Sequence, residues 1–180
     1  MKRPRVLSSI GKLISFHSKS PQLNQSLLQQ TRKNKNIIYG ARSINKQIHP
    51  LLRRRTYDYD ILSPTPKKSA QITEKNYDKI IGSNQFYVKP ALHPGTWKVM
   101  HIGSDMKKAT KDDIGYVDYS KTPRPVPKYK VINGIRYRKL CEEEKAKLKS
   151  LNDPQMAFRH KKDLQDLKVI RQSKRLLRRR

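Results

Sequence analysis

Asp58 and Asp60 stand two residues apart in the segment YDYDIL, Tyr57 to Leu62, and they are the first carboxylates in the chain. In an extended strand, residues i and i+2 point to the same side about 6.6 Å apart, twice the roughly 3.3 Å rise per residue. The two aspartates then share one face, and Tyr57, Tyr59 and Ile61 the other. Like charges at that spacing repel, and half-buried they are costly unless something positive sits between them. Magnesium is the usual solution, because it accepts one or two carboxylates and completes its shell with water and substrate phosphates. The electrostatic alternative is that the pair neutralises Arg53, Arg54 and Arg55 just upstream.

Two further features favour a metal. Asn36 to Gly40, NIIYG, is a short apolar, β-branched run ended by glycine, which reads as a strand running into a helix. Bare backbone N–H groups and the helix dipole at such a junction can hold phosphate. Downstream, GYVDYSK supplies Asp118, an isolated acid in a strand pattern that shares a face with Tyr116 and Ser120. A glycine turn for a triphosphate and three carboxylates from two strands are what metal-assisted nucleotidyl transfer needs. One metal would bind the triphosphate and another would lower the pKa of the attacking hydroxyl.

The remaining periodicities say what must position these groups. Leu23, Leu27 and Gln30 predict a short helix after Pro21, and Ile44 and Ile48 predict another that stops before Pro50. KSAQITEKNYDKIIGS reads as a helix ended by Gly82. QFYVKPALH, TWKVMHIG and IGYVDYS read as three strands. KYKVI and IRYRKL flank Asn133-Gly134, the strongest short hairpin signal available. CEEEKAKLKSL reads as a helix, and a second helical segment begins at Asn152-Asp153-Pro154, with Asp153 as N-cap and Pro154 at the first position. The order predicts an α+β fold, a small mixed β-sheet flanked by helices.

YGARSINKQIHPLLRRRTYDYDIL, Tyr39 to Leu62, resembles the signature of the DNA polymerase β-type nucleotidyltransferase superfamily. In that family an apolar strand, Gly-Gly or Gly-Ser, a short helix and Asp-x-Asp on the next strand precede a third carboxylate. RHKKDLQDLKVI, Arg159 to Ile170, is similar to an Arg-x-Lys-Asp-x-x-Asp-Leu helix of several minimal members. The resemblance implies transfer of a nucleoside monophosphate from a nucleoside triphosphate (NTP) to a hydroxyl, with Mg2+. By position it implies Gly40, Ala41 and Arg42 in the phosphate turn, and Asp58, Asp60 and Asp118 as catalytic, metal-binding acids. Ala41 stands where the family has Gly or Ser, so a side-chain phosphate contact is missing, and Arg42 is the neighbour placed to replace it.

Charge points to a polyanion. The 42 Lys and Arg outnumber the 14 Asp and Glu, for a net charge of +28. Such an excess repels itself unless a nucleic acid, RNA or DNA, or another anionic surface neutralises it. Only 34% of residues are hydrophobic, but they cluster in the periodic segments, which predicts a folded domain over residues 21–170. It carries a basic arm over 1–20 and a basic tail over 171–180. Arg53, Arg54, Arg55, Arg178, Arg179 and Arg180 are the expected nucleic-acid contacts. Lys67-Lys68, Lys107-Lys108 and Lys161-Lys162 read individually as solvated patches, and Tyr87, Trp97, Tyr129 and Tyr137 read mostly as core, with one free to stack a base.

Asp163 and Asp166, three apart on a helix, read as partners of core arginines. His93 reads as a loop histidine, and the five histidines lack zinc-ligand spacing with each other or with Cys141. That single cysteine excludes an internal disulfide framework. No apolar run approaches the roughly 18 residues of a membrane span.

The first twenty residues are basic, serine-rich and acid-free, with Val6, Ile10, Leu13 and Ile14 on one helical face. A mitochondrial presequence looks like this, and so does a nucleic-acid-binding arm. The charge supports a second reading beside the enzyme, a non-catalytic basic component of a nucleoprotein particle, either a virion or an organellar ribosome. The expected location is a reducing intracellular compartment or a virion, with mitochondria as the alternative.

Overall fold

A computed structural model of the chain describes residues 20–103 and 105–178, the side chain of Arg178 excepted. Of the arm over 1–20, residues 1–19 lie outside the described residues, as do Arg179 and Arg180. Helix α1 spans 20–33. It is followed by β1 (Ile37–Tyr39), α2 (Gly40–Gln47), a 3₁₀ turn (Pro50–Leu52), β2 (Tyr59–Ser63) and α3 (Pro66–Ile81). Then come β3 (Phe86–Pro90), β4 (Thr96–His101), β5 (Ile114–Lys121), β6 (Tyr129–Ile132) and β7 (Ile135–Arg138). Helix α4 (Leu140–Leu151), a 3₁₀ segment (Pro154–Arg159) and α5 (His160–Arg178) close the described chain.

The strands form one seven-stranded mixed sheet in the order β3-β4-β5-β2-β1-β7-β6. β2 runs parallel to β5 and β1 parallel to β7, and the other neighbours are antiparallel. This is the α+β arrangement that the sequence predicts. Local chemistry sets the boundaries. Gly82 takes the left-handed conformation, φ 83°, and ends α3 with its N–H on the carbonyl of Asp78. Asn133 and Gly134 both have positive φ, 51° and 75°, as a two-residue turn between β6 and β7 requires. The Asp153 side chain accepts from the N–H of Gln155 and Pro154 opens the 3₁₀ segment that leads into α5.

Successive side chains of the central strands point to opposite sides, and the two faces of the sheet differ chemically. Ile38 of β1, Tyr59 and Ile61 of β2, and Val117 and Tyr119 of β5 join Leu23 and Leu27 of α1 and Ala70 and Tyr77 of α3 in the main core. Tyr77 meets Phe86 and Tyr116 edge-on at ring centroid distances of 4.9 and 5.4 Å. The intervening residues Tyr39, Asp60, Asp118 and Ser120 point to the other face. A second, smaller cluster built on Ile44, Ile48 and Ile170 holds α2 against α5 beside that polar face.

One expectation is corrected in detail. Asp58 is not in the strand with Asp60, because β2 begins at Tyr59. The Asp58 carbonyl accepts from Nε of Arg42 at 3.1 Å, whereas the ladder to β1 starts at the Tyr39–Asp60 pair.

Candidate active site

The polar face holds a pocket of about 390 Å³. Its acidic side is Asp60 and Asp118, which stand side by side in the parallel register of β2 and β5. The cations around it are Lys98 from β4, Arg138 from β7, Lys147 from α4, and Arg159 and Lys162. Gly40 and Ala41, at the start of α2, complete the wall, with Leu92, His93, Met156 and Phe158 at the more apolar end.

Asp60 is the electrostatic focus. Burial pushes its carboxyl up to about 6, with Asp58 and Asp118 adding to the rise and Lys162 opposing it. Among the described residues no donor bonds this carboxylate, while its neighbours are held. Thr56 donates to Asp58 Oδ1 at 2.8 Å, and Lys98 Nζ lies 2.8 Å from Asp118 Oδ2. The shift has a consequence for stability. The folded state binds the proton more tightly than an ordinary carboxyl of 3.8, so stability falls as pH rises between that value and about 6, and the cost is fully present above it. Asp60→Asn is therefore expected to stabilise the chain by roughly 1–3 kcal/mol at pH 7.5 and by nothing at pH 3.5. Thermal melts at the two pH values check this, and equal shifts at both would contradict it.

Gly40 is forced by the same group. Its φ is +66°, and a Cβ built there would lie 2.3 Å from Asp60 Oδ2. Gly40→Ala must strain the backbone and push the carboxylate aside, so a loss of about 1–3 kcal/mol is expected in urea unfolding. The Gly40 N–H, the first of α2, donates to Glu143 Oε1 at 2.8 Å. Arg138 donates to that carboxylate through Nε at 2.9 Å and Nη2 at 2.5 Å. Burial raises the Glu143 pKa, and the two Arg138 bonds and the Gly40 N–H oppose the rise. Tyr39, beside Gly40, lies with its hydroxyl 2.9 Å from Ser120 Oγ.

An ionic cluster that includes Lys147, Arg159 and Asp163 forms part of the pocket wall. Lys147 Nζ bridges Asp163 Oδ1 at 2.8 Å and Asp166 Oδ2 at 3.0 Å. Arg54 reaches Asp166 at 2.9 Å and Arg159 reaches Asp163 at 3.3 Å. The two aspartates do pair with arginines, but these are about one-third exposed and not core residues, and the buried partner is Lys147.

The residues predicted for the site are distributed as follows. Gly40, Ala41, Asp60 and Asp118 meet in the pocket, and Asp58 lies just outside it, close enough to raise the pKa of Asp60. Arg42 is directed away. It stacks over the Tyr59 ring at 3.9 Å and bonds the carbonyls of Asp58 and Tyr57. Arg54 is engaged with Asp166, Arg53 and Arg55 are exposed, and Arg178 ends α5. Sequence reasoning misses Lys98, Arg138 and Glu143. Lys98 sits in a strand pattern that gives no register, and Glu143 is one of three consecutive glutamates, of which only the buried one reaches Gly40.

Among the described residues no three His, Cys, Asp or Glu side chains are grouped to hold an ion. Asp60, unpaired and with Asp58 beside it, fits a magnesium ion that takes its remaining ligands from water and phosphate. Asp118 has its countercharge in Lys98.

No protein-family model and no curated protein matches the sequence. Among solved structures the chain is similar to the Megavirus polyadenylate synthase, with a TM-score of 0.67 and 18% identity over 92% of this chain and 32% of that one. It is also similar to JHP933 from Helicobacter pylori, with a TM-score of 0.51 and 17% identity over 82% of this chain and 62% of that one. The chain thus spans less than two thirds of the length of either protein. Its seven-stranded mixed sheet with flanking helices is a nucleotidyltransferase-like fold.

Proposed function

We propose that the chain is a nucleotidyltransferase that transfers a nucleoside monophosphate from a nucleoside triphosphate to a hydroxyl. The observation that carries this reading is the Asp60 carboxylate, unbonded among the described residues, raised to about 6 and set against the N-terminus of α2 in a pocket that also holds five Lys and Arg side chains. Asp58 and Asp60 would hold Mg2+, which when bound neutralises phosphate charge and favours ionisation of the attacking hydroxyl. Lys98 and Lys162 reach into the same space and suit phosphate oxygens, while Arg138 is engaged in orienting Glu143 and, through it, the Gly40 turn. Asp118 would accept the hydroxyl proton. The hydroxyl oxygen bonds the α-phosphorus, the bond from that phosphorus to the bridging oxygen breaks, and pyrophosphate leaves with the electron pair.

Two contacts favour the second reading, a scaffold without turnover in a nucleoprotein particle. Glu143 already takes the Gly40 N–H, and Lys98 already neutralises Asp118. Nucleotide binding separates the two. Titration calorimetry with ATP, GTP, CTP and UTP in magnesium is expected to give saturable binding of at least one, weakened at least about tenfold by Asp60→Asn, the 1.4 kcal/mol of a lost ligand. No binding, or the same affinity in the variant, contradicts the enzyme reading.

A further inference from the structure

We propose that the segment Arg53–Tyr57, with the outer side of α2, is a binding track for a single-stranded nucleic acid that leads to Asp58 and Asp60. This deepens the proposed function, since it assigns the acceptor. A second concavity, of about 410 Å³, lies on the side of α2 that carries Arg42 and Lys46, whereas Gly40 and Ala41 line the catalytic pocket. Its lining includes Arg42, Lys46, Arg53, Arg54 and Arg55 and no carboxylate. Among the described residues no carboxylate pairs with Lys46, Arg53 or Arg55, so these three cations have a place for phosphate.

The segment itself supplies the order. Exposure alternates along it: Arg53, Arg55 and Tyr57 are exposed, while Arg54, Thr56 and Asp58 are half-buried. Arg54 is anchored to Asp166 and Thr56 to Asp58, which fixes the inner side. The outer side presents two arginines and then Tyr57, 75% exposed, as a row of cations ending in an uncovered ring. Cations that track a backbone beside an aromatic that stacks a base are how proteins hold single strands without reading sequence. The next inner residue is Asp58, so a strand stacked on Tyr57 ends beside the proposed metal-binding carboxylates.

Fluorescence anisotropy of a labelled 12-nucleotide RNA with the full chain, in chelator so that no metal contributes, tests the track. Lys46→Ala/Arg53→Ala/Arg55→Ala is expected to weaken binding by about tenfold or more, and to flatten the log–log salt dependence by about 2, at roughly 0.7 per phosphate contact on a single strand. A control removing the same charge from other exposed positions, Lys75→Ala/Lys79→Ala/Lys130→Ala, should cost less than about threefold. Tyr57→Ala should cost about fivefold or more and Tyr57→Phe almost nothing. Photocrosslinks from a 5-bromouridine RNA should include Tyr57. Equal losses in the two triple variants, an unaffected Tyr57→Ala, displacement of the RNA by stoichiometric inorganic triphosphate, or crosslinks confined to residues 1–19 and 171–180 would each overturn the proposal. Nucleotide titration reads Asp60, and RNA anisotropy in chelator reads the track, so a failed track and a failed catalytic reading give different results.

Discussion

Asp60→Asn is expected to reduce magnesium-dependent nucleotide transfer by at least about 10³-fold, a barrier increase near 4 kcal/mol, while the chain stays folded and gains stability at neutral pH. The two effects have one cause. The carboxylate is held in a buried position beside Asp58 and Asp118, with no donor among the described residues to bond it. Its ionised form therefore costs folding free energy, and that same unsatisfied charge is what makes the position suitable for a cation. Asparagine removes the repulsion and the metal ligand together. A variant that lost both activity and stability would instead mean that Asp60 is a structural acid, and the combination of rates with thermal melts distinguishes the cases.

The largest effect on stability is expected from Lys147→Ala, about 3–5 kcal/mol in urea unfolding. Lys147 is 5% exposed and lies between Asp163 and Asp166, themselves 0% and 2% exposed. Desolvating three charges is costly, and the cluster is tolerable only because each has an opposite partner. Without the ammonium, the cations left among the described residues are Arg159 for Asp163 and Arg54 for Asp166, both about one-third exposed and partly screened. Lys174→Ala is the comparison. Lys174 pairs with Glu144 in a more exposed setting, and its loss should cost no more than about 1 kcal/mol. Similar losses for the two lysines would show that burial does not govern this cluster.

Elements and their ends are legible in the sequence wherever one or two residues decide the backbone. Gly82, Asn133-Gly134 and Asp153-Pro154 act through their own φ angles and caps, so no knowledge of the rest of the chain is needed. The acids are legible for a similar reason, because a carboxylate in a strand pattern is unusual in itself. What surrounds them is not. Lys98 meets Asp118 only because β4 pairs with β5 in the register that puts these two opposite each other, and strand order is a long-range outcome. Asp60 meets Asp118 through the parallel β2–β5 pairing, whose partners are far apart in sequence. Arg42 shows the converse. Its position next to the glycine turn suggests phosphate, but on α2 it lies on the side facing Tyr59, and the ring and two carbonyls hold it there. Helical rotation of a single residue separates the pocket at Asp60 from the basic concavity on the other side of α2.

The most direct measurement of the central claim is incorporation of each labelled nucleoside triphosphate into RNA or protein with magnesium, comparing the unaltered chain with Asp58→Asn and Asp60→Asn. The predicted result is incorporation from at least one nucleotide that requires magnesium and is lost in both variants. A signal of equal size in either variant would contradict the assignment of these carboxylates as the reaction centre.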